Sequence, residues 1–457
     1  SRITKTGVNL PNDFHYNCSS LDRSNRKMVN CAAKLKTLQF LYYVQHELKE
    51  DLWSVANDEG YDTAYNMEEN SCDNIPQEFK SIEKCLPVIP YVRESRRIIG
   101  LHTLASPEIK REAQSYPYFP SNPSQFFSTS IAIGDYPIDL HRCDTLETIE
   151  YDLENMSDVP PIIDQARQIA DWGYGGMGFF QIPFESLIPE KVDGFLASDK
   201  NISQSRLANG STRTQMITML TGQAAGAIAA LSIKSGVQPR KLNPVLVQKE
   251  LLKSGDKLSI YKYRDVPQDH PYWAYVELAS LYGIMVGNNV PLKTHAGQDF
   301  GVNNPFLRRD AAVVITRRFK LNTEILPDNP TFSDVSRANQ YFAAIEALYR
   351  AGITEGCQQR PLLFCPDRGI FRSELAVMLV KVMKTNLALV PQNQIFEDVP
   401  PSHYAFPYIQ MLAQKGIVKG CSQNPRLFCP DRVATRGEAA IIITGSLIAE
   451  ASEDLHQ

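Results

Sequence analysis

The sequence predicts two architectures in one chain: a mixed α/β region over residues 1–255, then an all-α module built from one unit written three times. Three observations carry this. A helical pattern recurs between residues 260 and 450, short extended segments alternate with helices before it, and a Gly/Ala-rich helix follows a polar turn near residue 200. The balance of 43% hydrophobic and 21% charged residues is that of an ordinary globular protein. A formal net charge of −4 leaves no basic footprint, which argues against nucleic acid and against a polybasic membrane contact.

The first region opens with an amphipathic helix expected over 32–48, with Leu38, Leu41, Val44 and Leu48 on one face. An irregular Asn/Glu/Pro-rich stretch to about Pro87 follows. Residues 130–139 and 179–189 read as extended, with a helix at about 161–172 between them. Gly173-Tyr-Gly-Gly-Met-Gly178 matches the dinucleotide fingerprint, but a helix precedes it and a strand follows, the reverse of what a pyrophosphate cradle needs, so it reads as a loop. Next, a strand ends in Ser198-Asp199-Lys200, and a helix around Thr221-Gly-Gln-Ala-Ala-Gly226 follows. Its small residues allow close approach of a ligand or a neighbouring backbone, and nearby amides would favour an anion such as a reduced flavin; tight packing on a sheet is the plainer reading. No apolar run approaches the roughly 18 to 20 residues that span a bilayer, so no transmembrane segment is expected.

In the second region Phe332-Ser-Asp-Val335 recurs as Phe396-Glu-Asp-Val399, Gly352-Ile-Thr-Glu-Gly356 as Gly416-Ile-Val-Lys-Gly420, and Phe371-Arg-Ser-Glu374 as Thr435-Arg-Gly-Glu438. A more worn copy has Tyr263-Arg-Asp-Val266, Gly283-Ile-Met-Val-Gly287 and Leu307-Arg-Arg-Asp310, with a longer loop that lacks Cys. Each copy reads as helix, loop, helix. Trp273, Phe342 or Phe406 begins the apolar stripe of the first helix, a Gly at 283, 352 or 416 stops it, and the second starts near Arg308, Arg372 or Arg436. Thr435 with Glu438 forms a capping box.

Nine cysteines divide into two groups. Cys18, Cys31, Cys72, Cys85 and Cys143 show no metal-site spacing and read as plain buried thiols, and no metal is expected. Cys357 with Cys365 and Cys421 with Cys429 frame similar loops. A disulfide in each is the preferred reading over free thiols or zinc, whose ligand pairs sit closer in sequence, and it implies an oxidising compartment.

The ordered motifs of the second region resemble S-layer homology repeats, placed at 260–323, 329–387 and 393–450. The resemblance implies a three-pronged bundle that binds cell-wall or peptidoglycan-linked polysaccharide through inter-prong grooves, with Arg308, Arg372 and Arg436 as candidate contacts; a purely structural role for these arginines stays open, and Arg436 is favoured because its copy is best formed. In the first region Pro90-Tyr-Val-Arg-Glu-Ser-Arg-Arg-Ile-Ile-Gly100, Gly134-Asp-Tyr-Pro-Ile-Asp139, Ala197-Ser-Asp-Lys-Asn-Ile-Ser203 and Thr221-Gly-Gln-Ala-Ala-Gly226 look like the C-terminal half of an FAD-dependent oxidoreductase related to fumarate reductase flavoproteins. That resemblance implies FAD contacts from Ser198, Asp199, Asn201, Ser203, Ser211, Arg213, Gly222, Gln223 and Ala224, the helix N-terminus pointing at the flavin ring. It implies a substrate side of Arg93, Glu94, Arg96, Arg97, His102, Asp135 and His141, serving a small molecule whose identity is unknown. The N-terminal Rossmann βαβ unit of such enzymes is not found here, so the FAD site reads as incomplete and the chain as N-terminally truncated. The expectation is a flavoprotein oxidoreductase at a bacterial cell surface or envelope, exported by a signal not in this chain; the alternative is a non-catalytic wall-binding protein with a degenerate flavoprotein scaffold.

Overall fold

The computed structural model describes residues 25–68, 71–88, 96–109, 127–136, 138, 179–287, 299–390 and 393–455. Arg93, Glu94, His141, Cys18, Cys143, the expected helix at 161–172 and the glycine-rich loop at 173–178 lie outside them. The chain divides into two compact units. One comprises Ser1–Arg97, Pro137–Gly175 and Ser205–Arg213; the other comprises Ile98–Tyr136, Gly176–Gln204 and Thr214–Gln457.

In the first unit α1 (Arg26–His46) starts earlier than its sequence pattern suggests and ends before Leu48, which is exposed. Its buried face presents Val29, Cys31, Lys34, Leu38 and Val44, with Cys31, Lys34 and Leu38 at helical spacings of three and four. The irregular stretch after it is bound to that face. Cys31 and Cys72 form a disulfide, so the expectation that both are plain thiols is wrong. Ile75 and Leu86 are buried around it, with Val55, Phe79 and Ile82 packed against them, while Cys85 is a buried free thiol. Helix α2 (Arg206–Thr212) also belongs to this unit and is capped by Ser205, whose hydroxyl accepts from the Ala208 N–H at 3.1 Å.

The second unit begins with a two-stranded antiparallel ribbon, β1 (Ser130–Gly134) and β2 (Phe180–Pro183), bulged between Ser130 and Ala132. Gly134 must be glycine, because a Cβ there would fall 2.3 Å from the Phe180 ring and 2.7 Å from Ile217. Helix α3 (Gln215–Ser235) packs on β1, and α4 (Pro244–Lys253) packs on both. Among the described residues α3 is the one helix long and apolar enough to cross a membrane, by length and composition alone, and it is weak evidence against the expectation of no transmembrane segment. Thr218, Thr221 and Gln223 interrupt its apolar run, so the sequence shows no uninterrupted apolar stretch of that length.

Residues 253–262, which join the first region to the repeats, are built into this unit. Leu258 and Ser259 are buried, the Leu258 carbonyl accepts from Ser130 Oγ (3.1 Å) and Gln181 Nε2 (3.0 Å), and the Ser259 N–H donates to Glu277 (3.1 Å). The three helix pairs follow: α5 (Trp273–Leu281) with α6 (Arg308–Arg318), α7 (Phe342–Arg350) with α8 (Arg372–Val382), and α9 (Phe406–Gln414) with α10 (Arg436–Asp454). In each, the entry aspartate organises the loop between helices: Asp334 accepts from the Phe364 and Cys365 amides, Asp398 from Phe428 and Cys429, and Asp265 from Phe300, Gly301 and Val302, all at 2.6–2.9 Å. Gly283, Gly352 and Gly416 close the first helices with φ of 62°, 70° and 68°, a region where a side chain is strained.

The copies are joined cyclically. The second helix of each packs on the first helix of the next, α6 on α7, α8 on α9 and α10 back on α5. At the centre the Phe306 N–H donates to the Ala434 carbonyl (2.8 Å), the Ala434 N–H to Ile370 (2.9 Å) and the Ile370 N–H to Phe306 (2.9 Å), closing a ring of three backbone hydrogen bonds. The module is not purely helical. Between the paired cysteines lie hairpins β3 (Gln358–Gln359) with β4 (Leu362–Leu363) and β5 (Ser422–Gln423) with β6 (Arg426–Leu427), because the closed loop turns back on itself and pairs its own backbone. The Cys357–Cys365 and Cys421–Cys429 disulfides clamp these hairpins.

Candidate functional site

The polar turn near residue 200 is a single helical turn, Asp199–Asn201, and no strand leads into it. Asp199 adopts φ 60°, a conformation that aspartate tolerates better than most residues and that concentrates at working sites. Its N–H donates to Thr221 Oγ1 on α3 at 3.2 Å, and its carboxylate is exposed. Ser198 is half-buried beside it, and Asn201 is exposed, with its carbonyl accepting from the Ile98 N–H at 3.0 Å. Ser203 faces inward instead: its hydroxyl accepts from the Gly100 N–H (2.9 Å) and shares a hydrogen bond with Thr103 (2.8 Å).

Helix α3 begins at Gln215, so Gly222, Gln223 and Ala224 lie two turns inside it. Their amides belong to the interior hydrogen-bond ladder, and the expectation of a helix N-terminus at Gly222 is corrected. What Gly222 and Gly226 provide is an open surface, since a Cβ at either would meet nothing within 4 Å. Ala224 is buried against the unit, and Gln223 is exposed, donating through Nε2 to Asp256 at 2.6 Å. Burial raises the Asp256 pKa. In the other unit Arg213 is buried, and the Ser211 hydroxyl is buried without a hydrogen-bond partner among the described residues, an atom that needs a polar group brought to it.

His102 is part of a group that sequence spacing did not show. Its Nε2 lies 3.0 Å from Glu108 Oε1, and Glu108 is fixed by the Ala105 N–H at 2.7 Å in the turn Ser106–Ile109. The hydrogen bond to Glu108 raises the His102 pKa, burial opposes it, and the charge of Glu185 adds to the rise. Glu185 accepts from Thr129 Oγ1 at 2.7 Å, and the Phe127 ring meets the imidazole edge-on at 5.2 Å. The raised pKa favours the protonated ring, which suits proton donation or anion binding. The Ala-Ser-Pro-Glu108 turn signal was the available clue to its partner. Asp135 is exposed just past β1; Arg96 is exposed and Arg97 half-buried in the other unit.

Arg308, Arg372 and Arg436 are only 1%, 4% and 9% exposed, which bears directly on what they can touch. Each reaches into the loop of the next copy. Arg308 Nε donates to the Phe364 carbonyl (2.8 Å) and Nη1 to Glu374 (3.0 Å); Arg372 donates to Phe428 (2.8 Å) and Glu438 (2.8 Å). Arg368 and Arg432 add a second cation to each glutamate. Arg436 donates to the Phe300 carbonyl (3.0 Å) and the Val286 carbonyl (2.9 Å), and no carboxylate pairs with it among the described residues. Burial lowers all three guanidinium pKa values, while Asp310 acts on Arg436 from longer range. The position matching Glu374 and Glu438 is the shorter Asp310, and the one matching Arg368 and Arg432 is Asn304.

Residues 2–251 match the FAD dependent oxidoreductase family, and residues 395–440 match the S-layer homology domain. Among curated proteins, exoglucanase XynX of Acetivibrio thermocellus is 33% identical over 26% of this chain and 11% of its own length. Amylopullulanase of Thermoanaerobacterium thermosulfurigenes is 31% identical over 32% of this chain and 8% of its own. The chain thus spans about a tenth of either relative, and their glycosidase names do not speak for an oxidoreductase activity here.

Proposed function

Because the chain belongs to the FAD dependent oxidoreductase family, we propose that it is a flavin-dependent oxidoreductase held at a bacterial cell surface by its three C-terminal repeats. The observation that carries the first part is Asp199, held at positive φ with an exposed carboxylate and tied through its N–H to the helix with the open Gly222/Gly226 face. The carboxylate suits hydroxyls of a ribityl or ribose group, and the open face admits a flat ring. FAD supplies hydride transfer when bound. The chain supplies the rest: Ser198 and Asn201 offer polar contacts, and His102, whose protonated form the bond to Glu108 favours, can position or protonate a substrate anion. The family resemblance alone adds Arg93, Arg96, Arg97, Asp135 and His141 as proposed substrate-side residues. Because the site reads as incomplete, FAD added to the full chain should bind weakly, with saturable quenching of flavin fluorescence only at high concentration, weakened about ten-fold further in Asp199→Ala, as the loss of a charged hydrogen-bond partner implies. A flat titration would leave the non-catalytic wall-binding reading instead.

The groove between the third and first copies is the proposed polysaccharide site, because Arg436 alone of the three lacks a carboxylate partner among the described residues and keeps its charge available to an acidic sugar. The full chain should sediment with bacterial sacculi, and should stay in solution with sacculi stripped of anionic polysaccharide. Equal sedimentation with both preparations would sink this assignment.

A further inference from the structure

We propose that Lys34 and Asn66 are joined by an intramolecular amide bond that the chain forms itself, with Glu83 relaying the proton. Lys34 is the one lysine on the buried face of α1, a turn beyond Cys31 and a turn before Leu38. Its Nζ lies 3.2 Å from Asn66 Oδ1 and 3.7 Å from Glu83 Oε1. The three residues are 6%, 1% and 2% exposed, so an amine, an amide and a carboxylate meet where water has little access. Desolvation lowers the Lys34 pKa against the opposing pull of Glu83, which favours the nucleophilic free amine.

The surroundings of Asn66 point the same way. Its Nδ2 faces three backbone carbonyls, those of Tyr61, Lys84 and Leu86, each at 2.9 Å. A carboxamide nitrogen carries two hydrogens, so one acceptor is in surplus in the resting side chain. A protonated nitrogen leaving a tetrahedral carbon carries three and would satisfy all of them, so the site complements the departing group better than the reactant. The Asn66 N–H is pinned to Thr63 Oγ1 at 3.3 Å in the turn Ala64–Met67. Glu83 is aimed by the Cys72 N–H (2.8 Å) and by Lys80 Nζ (2.9 Å). Lys34 Nζ is held at hydrogen-bond distance from Asn66 Oδ1, one bond away from the carbon it would attack, and groups fixed so close gain the large advantage of an intramolecular reaction.

The step balances without redox chemistry. The Lys34 ammonium gives one proton to Glu83, Nζ bonds to Asn66 Cγ, and the Cγ–Nδ2 bond breaks. The proton held by Glu83 and the second Nζ proton leave with Nδ2 as ammonium. The product is a secondary amide that ties α1 to the turn Ala64–Met67, near the link made by the Cys31–Cys72 disulfide but immune to reduction.

The test is the mass of the full chain after reduction and alkylation, followed by proteolysis. The expected result is a mass short by one ammonia and a branched peptide in which Lys34 Nζ is bonded to Asn66 Cγ. Separate linear peptides with unmodified Lys34 and Asn66 overturn the proposal, as does ammonia loss found only as a succinimide at Asn66. In Glu83→Gln, cross-link formation should slow by about a hundred-fold or more, the size of a general acid–base contribution. Recovery of the Cys31–Cys72 disulfide in that variant reports that the segment still folds, and cross-linking at the wild-type rate would remove Glu83 from the step.

Discussion

Glu374 receives Arg308 and Arg368 at once and also accepts the Phe371 N–H at 2.9 Å, so one carboxylate serves both a charge cluster and a helix cap. Glu374→Gln keeps an acceptor for the cap and removes only the charge. With Arg308 1% exposed, the guanidinium left behind is buried without its counter-ion, at a cost of about 3–5 kcal/mol. Urea unfolding of the variant should show a clearly lowered midpoint. A second residue-scale expectation concerns His102, whose folded pKa is raised, chiefly by its bond to Glu108. Stability from this pair is fully present below the unfolded histidine value of about 6.5 and is lost as pH rises through the raised folded value. An NMR titration of the His102 ring should therefore have a midpoint above that of a free histidine, falling in Glu108→Gln. The arginines were legible as positions and not as partners. Helical spacing shows where Arg308 stands, whereas Glu374 and Phe364 belong to the next copy and meet it only once the ring closes.

At the scale of elements, helix starts and stops could be read where a local residue enforces them, as at Gly352 and at Thr435 with Glu438. They were misread where tertiary packing decides. Helix α3 runs from Gln215 because Ile217 and Thr221 bury against their neighbours, which moved its N-terminus away from Gly222. The two hairpin disulfides stand out through their repeated spacing, while Cys31, on α1, and Cys72, in the irregular stretch, are 41 apart in sequence with no repeat to mark them. By loop entropy a sequence separation of 8 gives about 2.5 kcal/mol and one of 41 about 4 kcal/mol. Replacing Cys31 and Cys72 by serine should therefore destabilise its unit more than the double serine variant at Cys357 and Cys365 destabilises the repeats, as read from thermal unfolding. Gly134→Ala should cost about 1–3 kcal/mol through overpacking on Phe180 and Ile217, visible in the same measurement.

At the scale of the whole molecule, the second unit runs through residue 255, past the end of the family match at residue 251. Gln248 on α4 is fully buried and donates to the carbonyls of Ser128 (2.7 Å) and Ser130 (3.0 Å) while accepting from the Tyr282 hydroxyl (3.1 Å), so one side chain spans the strand ribbon and the first repeat. Leu258 reinforces this from the connecting segment through its bonds to Ser130 and Gln181. α4 packs on both α5 and α10, the pair by which the threefold ring closes, so loosening α4 loosens the closure. Replacing Gln248 by Leu leaves two carbonyls and a hydroxyl without this partner, each costing about 1–3 kcal/mol when buried and unpaired. If the second unit unfolds as one body, hydrogen exchange should show amides of residues 130–134 and 180–183 and those of 273–281 losing protection together in Gln248→Leu. Protection lost in the ribbon alone would mean that the repeats form an independent domain. Protease resistance across residues 253–262 in the native chain gives the complementary check, because a packed strap resists cleavage that a solvent-borne linker would not.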